Sequence, residues 1–106
     1  MVANGTSANH ILFTSNLAVP DKGDWRRIYF NEADAGTILN YCDISYGGSV
    51  NAAVEITGST NNITISNCTI TNSAGYGIFL QNNAANPSIS NCAINDCDDY
   101  PIFARS

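Results

Sequence analysis

The chain has 106 residues, of which 44% are hydrophobic and only 12% are charged. Asn, Ser, Thr and Gly supply 41 residues, whereas an average domain has about 25% charged residues. A coiled coil is excluded, because such helices are built from Ala, Glu, Lys, Leu and Arg. Intrinsic disorder is disfavoured by 12 Ile, five Tyr and four Phe, which are enough apolar anchors for one folded domain.

The charge balance limits the partners. Nine acidic residues against four Lys and Arg give a net charge of −5, so no nucleic-acid partner is expected. No apolar run approaches the ~20 residues of a membrane span, and the N-terminus lacks the regions of a secretory signal peptide. Two interpretations of the termini stay open, a complete chain and a domain excised from a longer protein.

A repeat organises the chain. Its motif reads apolar-x-x-Cys-x-Ile-x and places Cys42, Cys68 and Cys92 in one column. The motif occupies three segments: Leu39–Ser45, Ile65–Thr71 and Ile89–Asn95. An apolar-x-apolar triplet follows each motif and begins at Ile28, Val54, Ile78 and Ile102. A degenerate first unit fits with Phe13 in the Leu39 column and Asn16 in the Cys column.

In chain order, the pattern predicts an irregular segment at 1–10 and then four coils, at approximately 11–36, 37–60, 61–85 and 86–106. Apolar residues alternate within each coil, which is the period of a β-strand, and polar or Gly-containing turns separate the runs. Three short strands per coil predict an all-β parallel solenoid of one domain over residues 1–106. Four inward ladders are expected, Phe13/Leu39/Ile65/Ile89, Ile44/Ile70/Ile94, Ile28/Val54/Ile78/Ile102 and Phe30/Ile56/Leu80/Ala104.

The sequence resembles a known superfamily. Asn-x-Ile-x-Ile-x-Asn-Cys-x-Ile followed by Gly-Tyr-Gly-Ile-Phe-Leu is similar to the repeat of right-handed parallel β-helix proteins of the pectate-lyase-like superfamily. The opening segments Ile11–Ser15 and Gly23–Phe30 are similar to the first coil of such domains in secreted and cell-surface bacterial proteins. The resemblance implies an extracellular or cell-surface location. It does not select a function, because this superfamily includes lyases, hydrolases, adhesins and inert spacers.

Two columns of the repeat have a structural interpretation. Cys42, Cys68 and Cys92 are expected to form an inward ladder of free thiols, while Cys97 lies off that column. Asn67 and Asn91 precede the Cys column, where Asn tolerates a left-handed backbone at a bend and can hydrogen-bond along the stack. With one His in the chain, no zinc site or other cofactor is predicted.

The acidic residues are weak candidates for chemistry. Asp96, Asp98 and Asp99 share one turn and are mainly expected to be solvated turn charges, with a weak calcium site as the alternative. Asp98 and Asp99 are adjacent, so their side chains are not expected to face one cleft as glycosidase carboxylates do. Arg26 and Arg27 lie in another coil, together with Glu32 and Asp34.

An aromatic stripe is the main candidate binding surface. If both ends of each triplet face inward, the middle residues Tyr29, Glu55, Phe79 and Phe103 face outward. We call the outward set Tyr29, Phe79 and Phe103, widened at the turns by Trp25, Tyr76 and Tyr100, the aromatic stripe. Exposed apolar patches mark contact sites. Self-association, glycan contact and a covering loop are all compatible with the stripe.

The ends of the solenoid, like the aromatic stripe, favour self-association. The last triplet is followed by Arg105 and Ser106 alone, and an uncapped coil presents open strand edges. The sequence therefore predicts a non-catalytic, structural or recognitional segment. It is expected to form homo-oligomers through the open ends or the stripe, and polysaccharide is a further candidate partner. The alternative is a fragment or degenerate relative of a polysaccharide lyase or glycoside hydrolase.

Overall fold

The computed structural model describes residues 1–33, 36–58, 61–81 and 86–105. These residues form twelve short strands joined by turns. In chain order the strands are β1 Val2–Asn4, β2 Ile11–Phe13, β3 Ile28–Asn31, β4 Ile38–Asn40, β5 Cys42–Ser45, β6 Ala52–Thr57, β7 Asn61–Ser66, β8 Thr69–Thr71, β9 Tyr76–Leu80, β10 Asn86–Ser90, β11 Ala93–Asn95 and β12 Ile102–Ala104.

The strands form three parallel sheets of four strands each. The first sheet has the order β1-β4-β7-β10, the second β2-β5-β8-β11 and the third β3-β6-β9-β12. Each coil of the chain contributes one strand to every sheet, so the chain winds as a parallel β-helix of four coils. The predicted fold class is confirmed.

The register of coils 2 to 4 follows the predicted ladders. Leu39 pairs with Ile65 and Ile65 with Ile89 in the first sheet, while Ile44, Ile70 and Ile94 align in the second. The third sheet aligns the four predicted triplets, starting from the pair Ile28 and Val54.

The first coil has a different register from the one expected. Phe13 pairs with Ile44 and not with Leu39, whose partner is Ala3 in β1. Strand β1 lies within the segment 1–10 that was expected to be irregular. Residues 14–27, which join β2 to β3, form a longer connection than the corresponding ones in the other coils. Because of this length, the repeat spacing of the later coils does not predict the register of the first coil.

The core lies between the three sheets and is built from stacked aliphatic columns. Leu39, Ile44, Ile56, Ile70 and Ile78 all have 0% of their surface exposed. Burying such side chains contributes about 1.5–3 kcal/mol each. Because the columns repeat apolar side chains at the strand spacing of ~4.8 Å, neighbouring coils pack apolar on apolar, and the column Ile44, Ile70 and Ile94 repeats a single residue type.

Left-handed backbone forms the corners of the coils. Tyr41, Asn67 and Asn91 have φ of 51°, 52° and 52° between the first and second sheets. The Asn67 side chain donates along the stack to Asn40 Oδ1 at 3.0 Å. The prediction of a left-handed Asn corner is confirmed, and Asn suits it because its short polar side chain tolerates this conformation.

The two ends of the solenoid are buried to different degrees. In coil 1, Ala3 and Phe30 are 7% and 4% exposed. In coil 4, Ile102 is 45% exposed, whereas Ile78 beside it in the same column is 0% exposed. Within the described part of the chain, the edge of coil 4 therefore leaves an inward-facing apolar side chain partly uncovered.

Candidate functional site

The outward face of the third sheet carries most of the predicted site residues. Tyr29, Glu55, Phe79 and Phe103 align in one column, one residue per coil. Their outward orientation agrees with the alternation of the strands. Their burial differs strongly, however, because Tyr29 is 43% exposed while Glu55 and Phe79 are 2% and 5% exposed. The expectation that Phe79 is an exposed ring is therefore wrong.

An ion pair fills the gap between the rings of coils 1 and 3. Arg27 Nη1 donates to Glu55 Oε1 at 3.2 Å, and their side chains are 17% and 2% exposed. Asn51 Nδ2 donates to the same carboxylate oxygen at 3.0 Å. The guanidinium carbon of Arg27 also lies 4.1 Å from the centre of the Tyr29 ring, a cation–π contact. Arg27 therefore joins Tyr29 to Glu55 across two coils.

Sequence reasoning missed the role of Arg27 and Asn51. Arg27 lies two residues before Tyr29, so strand alternation places both side chains on the outward side. An acidic residue in the next coil of that column is the signal that could have identified the pair. Asn51 carries no such signal, because it lies in the turn before β6.

Four rings of coils 3 and 4 form one cluster at the edge of this face. Tyr76 stacks on Phe103 with ring centres 4.8 Å apart and planes inclined by 12°. Phe79 lies 5.3 Å from Tyr76 and 5.6 Å from Phe103, which explains its burial. Tyr100 lies 6.2 Å from Phe103 and stays 66% exposed. We call these four residues the aromatic cluster.

Trp25 lies outside the aromatic cluster and packs against a turn. Its indole Nε1 donates to the Ser45 carbonyl at 2.9 Å, and the ring lies against Gly47. A Cβ added at Gly47 would lie 2.8 Å from the Trp25 ring, so only glycine fits beneath it. The predicted aromatic stripe is thus divided into Tyr29 with Arg27, a Trp25 packed against a turn, and the aromatic cluster.

The acidic turn after β11 is not a convergent metal site. Asp98 accepts from Lys22 Nζ at 2.8 Å, and Asp96 has a left-handed backbone with φ of 57°. No three His, Cys, Asp or Glu side chains among the residues that the structure describes could hold one metal ion. The calcium alternative for Asp96, Asp98 and Asp99 is therefore not supported. Asp34, named with Glu32 and the two arginines, lies outside the described residues.

The cysteines form the predicted ladder of free thiols. All four are free, and Cys42 and Cys68 are buried. Each ladder sulfur lies within hydrogen-bonding distance of a carbonyl of the preceding coil, Cys42 of Ala3 at 3.5 Å, Cys68 of Leu39 at 3.4 Å and Cys92 of Ile65 at 3.7 Å. Each also lies near the carbonyl two residues earlier in its own coil. Burial raises the pKa of the Cys68 thiol to about 12. Cys97, off the ladder, is also free and partly buried.

The fold and the repeat together define a class, the right-handed parallel β-helix. The family model described as a right-handed beta helix region matches residues 6–106, and the chain belongs to this family. No curated protein and no solved structure matches the chain. Within the described residues, no helix is long and apolar enough to cross a membrane.

Proposed function

We propose that this chain is a non-catalytic, structural β-helix segment that self-associates through the open edge of coil 4. The observation that carries the proposal is the exposure of Ile102 at 45% in a column where Ile78 is 0% exposed. Among the residues that the structure describes, strands β10, β11 and β12 each pair with a neighbour on one side. Such edges pair readily with another chain.

The aromatic cluster extends this surface. Tyr100 is 66% exposed and belongs to the turn that leads into β12. Its ring lies beside Phe103 on the outward face of coil 4, so coil 4 exposes apolar surface both there and at Ile102. A second copy fits this surface, because it has the same three parallel sheets and can supply main-chain partners to all three edges. The family resemblance supports an extracellular or cell-surface setting for the assembly.

Light scattering over a range of concentrations tests the proposal. The wild-type chain is expected to exceed the monomer mass of 11.3 kDa as its concentration rises. Ile102→Asp should return it to the monomer, because a charge would be desolvated in the interface. Val19→Asp, a matched control at a side chain that is 84% exposed, should leave the association unchanged.

Circular dichroism of each variant separates loss of assembly from loss of folding, and Ile102→Ala is a milder variant if the Asp variant unfolds. A wild-type monomer at every concentration would contradict the proposal. So would an Ile102→Asp variant that is folded and associates as the wild type does.

Glycan contact is a second candidate function, favoured by the geometry of Tyr100. An exposed ring beside the stacked Tyr76 and Phe103 offers an apolar face of the kind that packs on a sugar ring. Isothermal titration with neutral and acidic oligosaccharides tests this function. Tyr100→Ala should abolish binding, whereas Leu12→Ala, at another exposed side chain, should not. The absence of binding to every glycan would remove this candidate.

The enzyme alternative has its own assay. Incubation with polygalacturonate, with and without calcium, would release unsaturated product if the chain were a lyase, and reducing sugar if it were a hydrolase. The geometry gives this alternative little support, since Glu55 is held by Arg27 and Asn51 and Asp98 by Lys22. Sustained turnover that Asp98→Ala abolishes would overturn the non-catalytic proposal.

A further inference from the structure

Residues 14–27 leave β2 and cross the outside of the solenoid before the chain enters β3. The turn at 21–24 within this connection is well ordered by hydrogen bonds. Asp24 Oδ2 accepts from Ser15 Oγ at 2.6 Å and from the Asp21 backbone N–H at 2.9 Å. The Ser15 hydroxyl, ahead of the Asp21 amide, lowers the pKa of Asp24. We call residues 21–26 the lateral strap.

The lateral strap is fixed first to coil 2. Gly48 donates its backbone N–H to the Arg26 carbonyl at 2.8 Å, and Ser49 donates to the Trp25 carbonyl at 3.3 Å. The Trp25 indole donates to the carbonyl of Ser45, the last residue of β5 before this turn. These contacts attach the C-terminal half of the strap to the turn between β5 and β6.

The strap then passes coil 3 and reaches coil 4. Gly23 has φ of +81°, and a Cβ added there would lie 3.2 Å from the Ala74 Cβ in the turn between β8 and β9. One residue earlier, Lys22 Nζ donates to Asp98 Oδ1 at 2.8 Å in the turn between β11 and β12. The segment that belongs to coil 1 therefore contacts every other coil.

We propose that the lateral strap couples coil 1 to coil 4, so that the four coils unfold as one cooperative unit. In a solenoid each coil contacts only its neighbours, and its stability is a sum of nearest-neighbour terms. Terminal coils of such a stack fray independently. A strap that touches coils 2, 3 and 4 adds contacts between coils that are not neighbours, and these contacts oppose the fraying of coil 4.

The single tryptophan provides the first test, since Trp25 lies in the strap itself. Urea unfolding is followed in parallel by Trp25 fluorescence, which reports the strap, and by far-UV circular dichroism, which reports the sheets. The two transitions are expected to coincide. A fluorescence transition at lower urea than the dichroism transition would show that the strap detaches first, and it would overturn the proposal.

Hydrogen exchange provides the second test, at the contact that completes the strap. Lys22 and Asp98 are 34% and 55% exposed at their side chains, so removing the pair should have a modest effect. In Lys22→Ala, the backbone amides of Asp98, Asp99 and Arg105 are expected to exchange about 1.5- to 5-fold faster. Amides of coil 2 should accelerate by less than those of coil 4, because both sets exchange in the wild type through the same unfolding of the four coils, whereas the variant also lets coil 4 open alone.

Two variants act as controls for this exchange experiment. Arg26→Ala removes an exposed cation from the same strap and should leave the amides of coil 4 unchanged. Lys22→Arg restores a donor to Asp98 and should return the rates to those of the wild type. Unchanged exchange of coil 4 in Lys22→Ala, or equal acceleration in Arg26→Ala, would contradict the coupling.

Discussion

The column Ile44, Ile70 and Ile94 allows one substitution to be compared at different depths of the solenoid. Ile70 is 0% exposed and lies between Ile44 and Ile94, while Ile94 in the last coil is only partly buried. Ile70→Ala removes three carbons from a closed core and should cost about 2–5 kcal/mol. The space that Ile94→Ala leaves is open to solvent, so this substitution should cost only about 1 kcal/mol.

Urea denaturation monitored by circular dichroism in dilute solution measures both costs. A domain of this size has a free energy of unfolding of about 5–15 kcal/mol, so Ile70→Ala removes a large part of it. If Ile70→Ala does not fold, Ile70→Val, expected to cost about 0.5–1.5 kcal/mol, takes its place. Equal slopes of free energy against urea in all variants would show that stability alone has changed.

The same experiment at high protein concentration connects stability to assembly. If a second copy covers coil 4, the cost of Ile94→Ala should rise with concentration, whereas that of Ile70→Ala should stay constant. Equal costs for the two substitutions in dilute, monomeric solution would refute the reasoning, because the two sites would then have the same burial.

Three further predictions concern the ion pair, the thiol ladder and the corners. Arg27→Met leaves the buried Glu55 carboxylate without its cation and should cost about 3–5 kcal/mol. Adding Glu55→Gln should recover much of this loss in urea unfolding, and no recovery would contradict the pairing. Desolvation raises the pKa of Cys68 from 9.0 to about 12, so the unfolded chain ionises first. The contribution of the neutral Cys68 thiol to stability is therefore present below pH 9 and is lost as the pH rises toward 12. Cys68→Val should reduce this alkaline decline, and an unchanged pH dependence would count against the buried neutral thiol. Tyr41→Asn should stabilise the fold by about 1 kcal/mol, because Tyr41 has the left-handed φ of 51°. Asn67→Tyr should have the opposite effect in thermal unfolding. The Tyr41 ring lies 5.5 Å from the His10 ring, and a destabilised Tyr41→Asn would show that this contact outweighs the backbone strain.

The sequence predicts the middle of the solenoid well because the repeat itself carries the register. Cys42, Cys68 and Cys92 recur at steps of 26 and 24 residues, and short turns of similar length keep strands and columns aligned. Coil 1 breaks this spacing, since its connections at 5–10 and 14–27 are longer than those of the other coils. A constant repeat length predicts that Phe13 aligns with Leu39. In the structure the partner of Leu39 is Ala3.

At the candidate site, strand alternation predicts which way a side chain faces but not whether it is buried. Alternation along a strand determines which side of the sheet a residue faces, and it assigned Phe79 correctly to the outward side. It carries no information on what lies over that side. Phe79 is buried by Tyr76 and Phe103, which come from the same coil and the next one. The covering of Glu55 by Arg27 likewise depends on contacts between coils.

The lateral strap and the open edge act on different parts of coil 4. Lys22 reaches Asp98 from the side of the solenoid, at a turn between the second and third sheets. The strand β12 with Ile102 lies at the end, where none of the described residues pairs with its outer edge. The strap therefore holds coil 4 in register without covering the surface through which a second copy would pair. Such a coil is ordered before association, and less conformational entropy is lost when the edges meet.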